Sequence, residues 1–266
     1  MTRHTPVMTV MVAAVRKAAR GLQRDFGEVE NLQVSMKGPG DFVSAADKKA
    51  EKVLFEELAK ARPGYGFVME EGGTVEGADK SHRWIIDPLD GTTNFLHGIP
   101  QFAISVGLER EGQMVAGVVY NPVTDELFLA EKGQGAFLND RRLRVSARRE
   151  ITQCVIGCGI PHLGRPGHDI FLKEERAVMQ NSSGLRRMGA ASLDLAYVAA
   201  GRFDAFWETG LAPWDMAAGI VLVREAGGTV SDINGREDML NTGSIVVGNE
   251  MIFGQLSKIL KSARST

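Results

Sequence analysis

Apolar residues near the start of the chain recur at intervals of three and four positions. The residues that form this pattern are Val7, Met11, Val15, Ala18, Leu22 and Phe26. Such spacing places them on one face of an amphipathic helix. The longest uninterrupted apolar run in this region covers residues 10–15, which is too short to span a membrane. The pattern therefore predicts a folded helix rather than a cleaved leader, and with it a soluble, cytoplasmic protein.

A second helix is predicted over residues 44–61. Ser44 is a favoured N-cap residue, and Asp47 follows three positions later, as in a capping box. The sequence Arg-Pro-Gly at residues 62–64 then stops the helix, because proline cannot continue it and glycine favours the turn that follows.

Two short apolar strands come next in the chain. The first covers residues 65–69 and is followed directly by Glu70. The second covers residues 84–86 and ends at Asp87. Pro88 has no N–H group to donate to a neighbouring strand, so strand pairing is expected to stop there.

The pattern of predicted secondary structure changes near residue 150. Between residues 102 and 145 apolar strands alternate with short turns, which predicts an antiparallel sheet. From residue 151 onward helical and extended segments alternate. We therefore expect an α+β half over residues 1–150 and an α/β half over residues 151–266. Helix and sheet layers in the order αβαβα are the architecture that fits both halves.

Composition and charge exclude several classes of protein. Hydrophobic residues make up 44% of the chain, which excludes disorder. Lysine and arginine total 31 and aspartate and glutamate total 33, so the formal net charge is −2. A chain with this balance has no overall attraction for nucleic acid or an anionic membrane. The 31 glycines, roughly 12% of the chain against a usual level of about 7%, indicate many tight turns or close backbone approaches.

Carboxylates and glycine follow the second apolar strand in an unusual concentration. Asp87 and Asp90 lie three residues apart, and burying two like charges together is unfavourable unless a cation balances them. Carboxylate oxygens select hard cations such as Mg²⁺, Mn²⁺ or Ca²⁺. A short helix that begins at Gly91 and Thr92 would offer unpaired N–H groups to phosphate. Metal-assisted transfer of a phosphoryl group to water would use both features, although a turn that only caps a helix is the alternative.

Two more acidic positions lie at the ends of predicted elements. Glu70 ends the first short strand, and Asp215 stands at the start of a helix predicted over residues 215–226. Taken alone, Glu70 is typical of a solvated acidic turn and Asp215 of an N-cap. Three acidic clusters at element ends, none with a basic partner nearby in sequence, together favour a metal site.

The motifs in these segments resemble those of a known family. The segments that carry the resemblance are residues 37–47, 70–71, 87–95, 132–136, 193–201, 208–219 and 223–228. They resemble the inositol monophosphatase family, and most closely its bacterial extragenic-suppressor branch, over nearly the whole chain. The resemblance implies the five-layered αβαβα sandwich, a homodimer, dependence on Mg²⁺ and inhibition by lithium.

The resemblance also implies a set of metal ligands. Two or three Mg²⁺ ions per site are expected, with Mn²⁺ as a possible substitute. Their ligands would be the carboxylates of Glu70, Asp87, Asp90 and Asp215 and the backbone carbonyl of Leu89. Most of these ligands fall in the half over residues 1–150, and the last falls in the half over residues 151–266.

Further roles follow from the same resemblance. Catalysis would rest on Glu70, at a loosely held third metal, and on Asp47 with Thr92, which would orient the attacking water. The residues expected to bind the substrate are Asp90, Gly91, Thr92, Ala191, Glu208 and Asp215. The implied reaction is hydrolysis of inositol 1-phosphate by a metal-activated water, without a covalent intermediate.

Other functions remain open at this stage. On the same fold, the alternatives are a fructose-1,6-bisphosphatase and a 3′-phosphoadenosine-5′-phosphate phosphatase. A regulatory protein that binds the transcription antitermination machinery is an alternative of another class. The sequence assigns no role to Arg186, Arg187 or residues 154–168.

Overall fold

A computed structural model describes residues 4–28, 34–38 and 41–265 of the chain, so residues 39–40 of the predicted motif at 37–47 lie outside it. The helices of the described part are α1 (Pro6–Phe26), α2 (Ala45–Ala61), α3 (Thr92–Leu96), α4 (His168–Met179), α5 (Ala191–Ala199), α6 (Pro213–Glu225), α7 (Met239–Thr242) and α8 (Glu250–Ser265). The strands are β1 (Val34–Gly38), β2 (Asp41–Ser44), β3 (Tyr65–Met69), β4 (Gly73–Val75), β5 (Asp79–Asp90), β6 (Ala103–Arg110), β7 (Gln113–Asn121), β8 (Glu126–Glu131), β9 (Gly135–Leu138), β10 (Arg141–Arg142), β11 (Val155–Cys158), β12 (Gly184–Arg186), β13 (Ala205–Thr209), β14 (Thr229–Ser231) and β15 (Ser244–Gly248).

These elements form five layers in the order αβαβα, as predicted. The larger sheet has the strand order β10-β9-β8-β7-β6-β5-β3-β4 and is antiparallel except for the parallel pair β3 and β5. The smaller sheet has the order β12-β11-β13-β15-β14, with β11 parallel to both its neighbours. Helices α1 and α2 cover the outer face of the larger sheet, α5 and α6 lie between the sheets, and α4 and α8 cover the smaller sheet.

The two main sheets take their strands from different parts of the chain. The larger sheet uses strands β3 to β10, and the smaller sheet begins at Val155, while β1 and β2 form a separate antiparallel pair. The helices α5 and α6 pack against both sheets in one continuous core. A division into domains near residue 150 stays a prediction.

The first two helices form where the sequence predicts them. In α1 the predicted apolar face packs on the larger sheet, with Met11, Val15 and Leu22 fully buried. In α2 the hydroxyl oxygen of Ser44 accepts from backbone N–H groups of the first turn and the N–H group of Ser44 donates to Asp47, so the predicted capping box is present. None of the helices in the described part is long and apolar enough to cross a membrane.

Helix α6 lies unusually close to the strands and helix around it. A Cβ atom added to Gly107 of β6 would lie 2.8 Å from the Cβ atom of Ala217, and one added to Gly117 of β7 would lie 2.6 Å from the carbonyl oxygen of Ala218. A Cβ atom added to Gly219 would lie 2.3 Å from Leu195 of α5. Part of the glycine excess is therefore explained by backbone approaches that no larger residue permits.

The structure corrects the prediction that pairing stops at Pro88. Strand β5 pairs with β6 at Asp87, opposite Ser105, and again at Asp90, opposite Ala103. Three residue intervals of β5, from Asp87 to Asp90, thus lie opposite two intervals of β6, from Ser105 to Ala103. This mismatch is a β-bulge. A bulge leaves one residue outside the ladder and accommodates a proline within a strand. The strand consequently continues far enough to carry both aspartates.

Two helical glycines test the close packing of α6 with the same substitution. Gly219→Ala places a methyl group against Leu195, so we expect the free energy of unfolding to fall by about 1–3 kcal/mol. Gly254→Ala in α8 meets nothing within 4 Å, so helix propensity should raise the free energy of unfolding by up to about 1 kcal/mol. Thermal denaturation measures both changes, and shifts of the same sign in the two variants would contradict the packing argument.

Candidate active site

Three aspartates from distant parts of the chain converge at one point. Asp87 and Asp90 come from the end of β5, and Asp215 comes from the first turn of α6. One carboxylate oxygen of each lies within 4.8 Å of those of the other two. Asp87 and Asp90 are buried, and Asp215 is partly buried. The structure therefore brings together three positions that the sequence indicates separately.

Each aspartate of this cluster is held in place by a backbone N–H group. The donors are Leu89 to Asp87 at 2.9 Å, Ser192 to Asp90 at 2.7 Å, and Ala212 to Asp215 at 2.7 Å. Ala212, rather than Asp215, is the N-cap residue of α6. Asp215 thus fixes the start of its helix and also points into the cluster, so the capping alternative and the metal-site interpretation are compatible.

The cluster holds more negative charge than its environment can solvate. Burial raises the pKa of Asp87 well above its usual value, and the charges of Glu70, Asp90 and Asp215 raise it further. Burial also raises the pKa of Asp90 to about 6, against the lowering effect of its bonds to Ser192. For Asp215, burial followed by the charge of Asp90 raises the pKa to about 8. A bound cation would relieve this repulsion, and the all-oxygen donor set fits a hard divalent ion.

Glu70 and Leu89 lie beside the cluster, and their role as metal ligands stays a prediction. The N–H group of Glu70 donates to the carbonyl of Ile86 at 3.3 Å, which extends the pairing of β3 with β5. Its carboxyl group is close enough to hydrogen-bond with Asp87 and to raise the pKa of that residue. The carbonyl oxygen of Leu89 lies 2.9 Å from the hydroxyl of Thr92.

Asp47 and Thr92 also meet, although 45 positions separate them in the chain. The hydroxyl of Thr92 lies 3.1 Å from Oδ1 of Asp47. Because that hydroxyl has one proton, it donates either to Asp47 or to the carbonyl of Leu89. Asp47 is fully buried, and burial raises its pKa. The same aspartate therefore caps α2 and contacts the start of α3.

The chain turns at Gly91 in a conformation that favours glycine. Its φ angle is 87°, in the left-handed region, and it is the N-cap residue of the predicted short helix α3. A Cβ atom at this position would lie 2.9 Å from the carbonyl oxygen of Gln101. Conformation and space both restrict this position, which carries the chain from Asp90 to Thr92.

A cavity of about 360 Å³ opens beside the aspartates. All six residues that the resemblance assigns to substrate binding line it: Asp90, Gly91, Thr92, Ala191, Glu208 and Asp215. The lining residues for which the sequence gives no such role are Thr93, Gly159, Ile160, His162, Leu163, Arg165, Arg187, Gly189, Ala190, Asp194 and Leu211. Five residues of the segment 159–165 and Arg187 thus lie at this cavity, whereas Arg186 is absent from its lining among the described residues.

Glu208 occupies the wall of the cavity formed by β13. Burial raises its pKa to about 8, the charges of Asp215 and Asp90 add to this effect, and Arg165 and Arg187 oppose it. No hydrogen bond to its carboxylate is present among the described residues. Gly159 provides the space for this side chain, because a Cβ atom there would lie 1.8 Å from Cδ of Glu208.

Comparison with known proteins places this arrangement in a family. The sequence profile of the inositol monophosphatase family matches residues 3–265. The inositol-1-monophosphatase of Mesorhizobium japonicum is 65% identical over 97% of each chain. A protein named Nus factor SuhB, from Pseudomonas aeruginosa, is 44% identical over 94% of each chain.

A solved structure agrees with these sequence matches. The crystal structure of the extragenic suppressor protein suhB from Bartonella henselae superposes with a TM-score of 0.95 at 61% identity. The superposition covers 97% of this chain and 99% of that one. The family match spans almost the whole sequence and includes every residue of the aspartate cluster, so the chain belongs to the inositol monophosphatase family and is a phosphatase.

Proposed function

We propose that the protein hydrolyses inositol 1-phosphate to inositol and phosphate with the help of Mg²⁺. The observation that carries this proposal is the convergence of Asp87, Asp90 and Asp215 at the edge of a cavity large enough for a small phosphate ester. The name of the relative from Mesorhizobium japonicum, at 65% identity, supports the choice of substrate.

The acidic cluster would hold the metal ions. Glu70, Asp87 and the carbonyl of Leu89 would bind one ion, and Asp87, Asp90 and Asp215 would bind a second, with a third held loosely at Glu70. Mn²⁺ has similar ligand preferences and could replace Mg²⁺. When bound, the ions would supply positive charge to the phosphoryl oxygens and lower the pKa of water.

Residues of the chain itself would position the reacting groups. The hydroxyl of Thr92 can donate to Asp47, which leaves its oxygen able to accept a hydrogen bond from the attacking water and to orient it. The backbone N–H groups of Gly91 and Thr92 would hold the phosphate at the turn before α3. A water near Asp215 would protonate the departing alkoxide.

The alcohol half of the substrate would occupy the rest of the cavity. Glu208 would accept a hydrogen bond from a ring hydroxyl, and Asp90 and the backbone near Ala191 would provide neighbouring contacts. All three line the same cavity. A homodimer and inhibition by lithium at millimolar concentration belong to the same proposal.

A panel of phosphate esters tests the choice of substrate. With Mg²⁺ present, we expect kcat/KM to be higher for inositol 1-phosphate than for fructose 1,6-bisphosphate or 3′-phosphoadenosine 5′-phosphate. The reason is that the carboxylate of Glu208 in the cavity wall can accept a hydrogen bond from a hydroxyl group, whereas a second phosphate offers it no such donor. Release of inorganic phosphate measures all three rates, and the reverse ranking would replace inositol 1-phosphate as the substrate.

Substitution of one aspartate tests the role of the cluster. Asp87→Asn removes a charge at the centre of the cluster with little change in shape, so we expect kcat to fall on the order of 1,000-fold, as for the loss of several kcal/mol of charge stabilisation. Asp79→Asn is the matched control, since Asp79 begins the same strand and bonds to Ser81 and His82 outside the cavity. Comparable activity in both variants would rule out the proposed site.

The same variant separates a second candidate function from the first. The relative named Nus factor SuhB, at 44% identity, favours a role as a protein partner in transcription antitermination. Such a role would use the surface of the folded protein rather than hydrolysis. A deletion phenotype that Asp87→Asn rescues as well as the wild type does would assign the cellular role to binding, whereas failure to rescue would assign it to hydrolysis.

The raised pKa values predict how pH affects the metal site. In the metal-free folded protein Asp90 and Asp215, with pKa values of about 6 and about 8, retain protons that the unfolded chain releases near pH 4. The folded state thus binds more protons, so its stability falls as pH rises from about 4 to about 8. Protons and Mg²⁺ compete for the same oxygens, so affinity for Mg²⁺ rises over this range.

Thermal denaturation with and without Mg²⁺ measures this effect. Between about pH 6 and about pH 8.5 we expect the melting temperature in a chelator to fall and the increase caused by Mg²⁺ to grow. Affinity should rise by about tenfold per pH unit for each proton displaced. Stabilisation by Mg²⁺ that is independent of pH would contradict the assignment of these carboxylates as ligands.

A further inference from the structure

One acidic residue of the cavity has no part in the mechanism above. Asp194 lies in the first turn of α5 and is 1% exposed, yet it lines the cavity. Its Oδ1 atom is buried without a hydrogen-bond partner. In the described part of the chain, neither oxygen of this carboxyl group takes part in a hydrogen bond or an ion pair.

Asp194 differs in this respect from the other buried acidic side chains of the described residues. Each of those has at least one hydrogen bond or ion pair within the protein; they are Asp25, Asp47, Glu51, Asp87, Asp90, Glu109, Glu174, Asp204 and Asp232. Buried polar groups are satisfied in nearly all folded proteins, because an unmet hydrogen bond is costly. A carboxyl group that faces a cavity without a donor is therefore suited to a donor that arrives with a ligand.

A second carboxyl group on the same cavity has the same need. Glu208 also lacks a described hydrogen-bond partner, and its charge is the largest electrostatic contribution that raises the pKa of Asp194, after burial. Arg187 lowers the pKa of both residues without forming an ion pair with either among the described residues. Two acceptors that have no hydrogen bond among the described residues therefore line the same cavity.

We propose that Asp194 is a substrate-binding residue that, together with Glu208, binds hydroxyl groups of a polyhydroxylated alcohol. This inference rests on the proposed function, because it takes the phosphate to lie at the aspartate cluster. Hydroxyl groups are donors that a carboxyl group accepts in either charge state. An alcohol with several hydroxyl groups can offer a donor to each residue, so the pair selects polyol phosphates over esters of apolar alcohols.

A purely structural role for Asp194 makes a different prediction. An acidic residue in the first turn stabilises a helix through the helix dipole, and α5 also carries Ser192, which positions Asp90. Loss of that role would lower the turnover of every substrate by a similar factor. The substrate-binding role instead lowers turnover mainly for substrates that carry hydroxyl groups.

The experiment compares two substrates across variants of the full-length protein with Mg²⁺. Inositol 1-phosphate carries ring hydroxyls, and p-nitrophenyl phosphate has none in its alcohol half. We expect Asp194→Ala to lower kcat/KM for inositol 1-phosphate by about 10- to 100-fold, as for loss of one partner of a buried hydrogen bond, which leaves the substrate hydroxyl unsatisfied. The loss should arise mainly through KM, and the loss for p-nitrophenyl phosphate should stay below about threefold. Asp194→Asn keeps an acceptor oxygen and should restore part of the selectivity.

A matched control uses another buried aspartate outside the cavity. Asp232 is also 1% exposed with one unpartnered oxygen, but its other oxygen accepts from the backbone of Asn234 and Arg236. Asp232→Asn should therefore change kcat/KM for the two substrates by a similar factor.

Similar losses of kcat/KM for both substrates in Asp194→Ala, or no loss, would overturn the inference while the proposed function stands. Failure of the wild type to hydrolyse inositol 1-phosphate would overturn both. If Asp194→Ala does not fold, Asp194→Asn takes its place. A larger loss of kcat/KM for inositol 1-phosphate than for p-nitrophenyl phosphate then supports the inference, and equal losses overturn it.

Discussion

Repulsion among three carboxylates at one point is the constraint on which the rest of the structure depends. Asp87, Asp90 and Asp215 cannot all be ionised in a buried site without a balancing positive charge. The fold gives each of them at least one backbone N–H donor, which orients the side chains but does not neutralise the cluster. The remaining charge is what makes the site a strong ligand for a divalent cation, so the unfavourable arrangement in the metal-free protein and the metal affinity have one cause.

Two features of the backbone keep this cluster together. The bulge at Pro88 lets β5 continue to Asp90, so both aspartates belong to a strand rather than to a mobile turn. Close packing of α6 on Gly107 and Gly117 places the start of that helix, and therefore Asp215, against the end of β5. Small residues along α6 bury less apolar side-chain surface than larger residues would, but they allow the helix to lie this close to the strands. The strand and the helix are rigid, so they keep the like charges close together. Flexible loops would let these charges move apart.

Local signals account for what the sequence could predict. The period of α1, the capping box of Ser44 and the acidic residues at strand ends each depend on neighbours a few positions away, so their elements could be predicted from short segments. The bulge at Pro88 could not, because it depends on the register of β6. Five residues of the segment 159–165, and Arg187, are brought to the cavity by the parallel pairing of β11 with β12 and β13. No short-range pattern encodes such pairing, and the family motifs do not include these residues.

Asp194 shows the same limit at a single position. In the sequence it is one acidic residue within an apolar helix. A favourable interaction with the helix dipole is sufficient to explain an acidic residue at that position. Only the tertiary structure reveals that Oδ1 of this residue has no hydrogen-bond partner and that Asp194 lines the same cavity as Glu208. The cavity thus uses one side-chain chemistry in two ways. At the aspartate cluster the crowding of charge requires a cation, whereas around Asp194 and Glu208 two acceptors beside Arg187 are better satisfied by neutral hydroxyl donors. All of these side chains are carboxylates, so residue type does not distinguish them. The partner that each one needs, a cation or a hydroxyl donor, determines which part of the substrate it can bind.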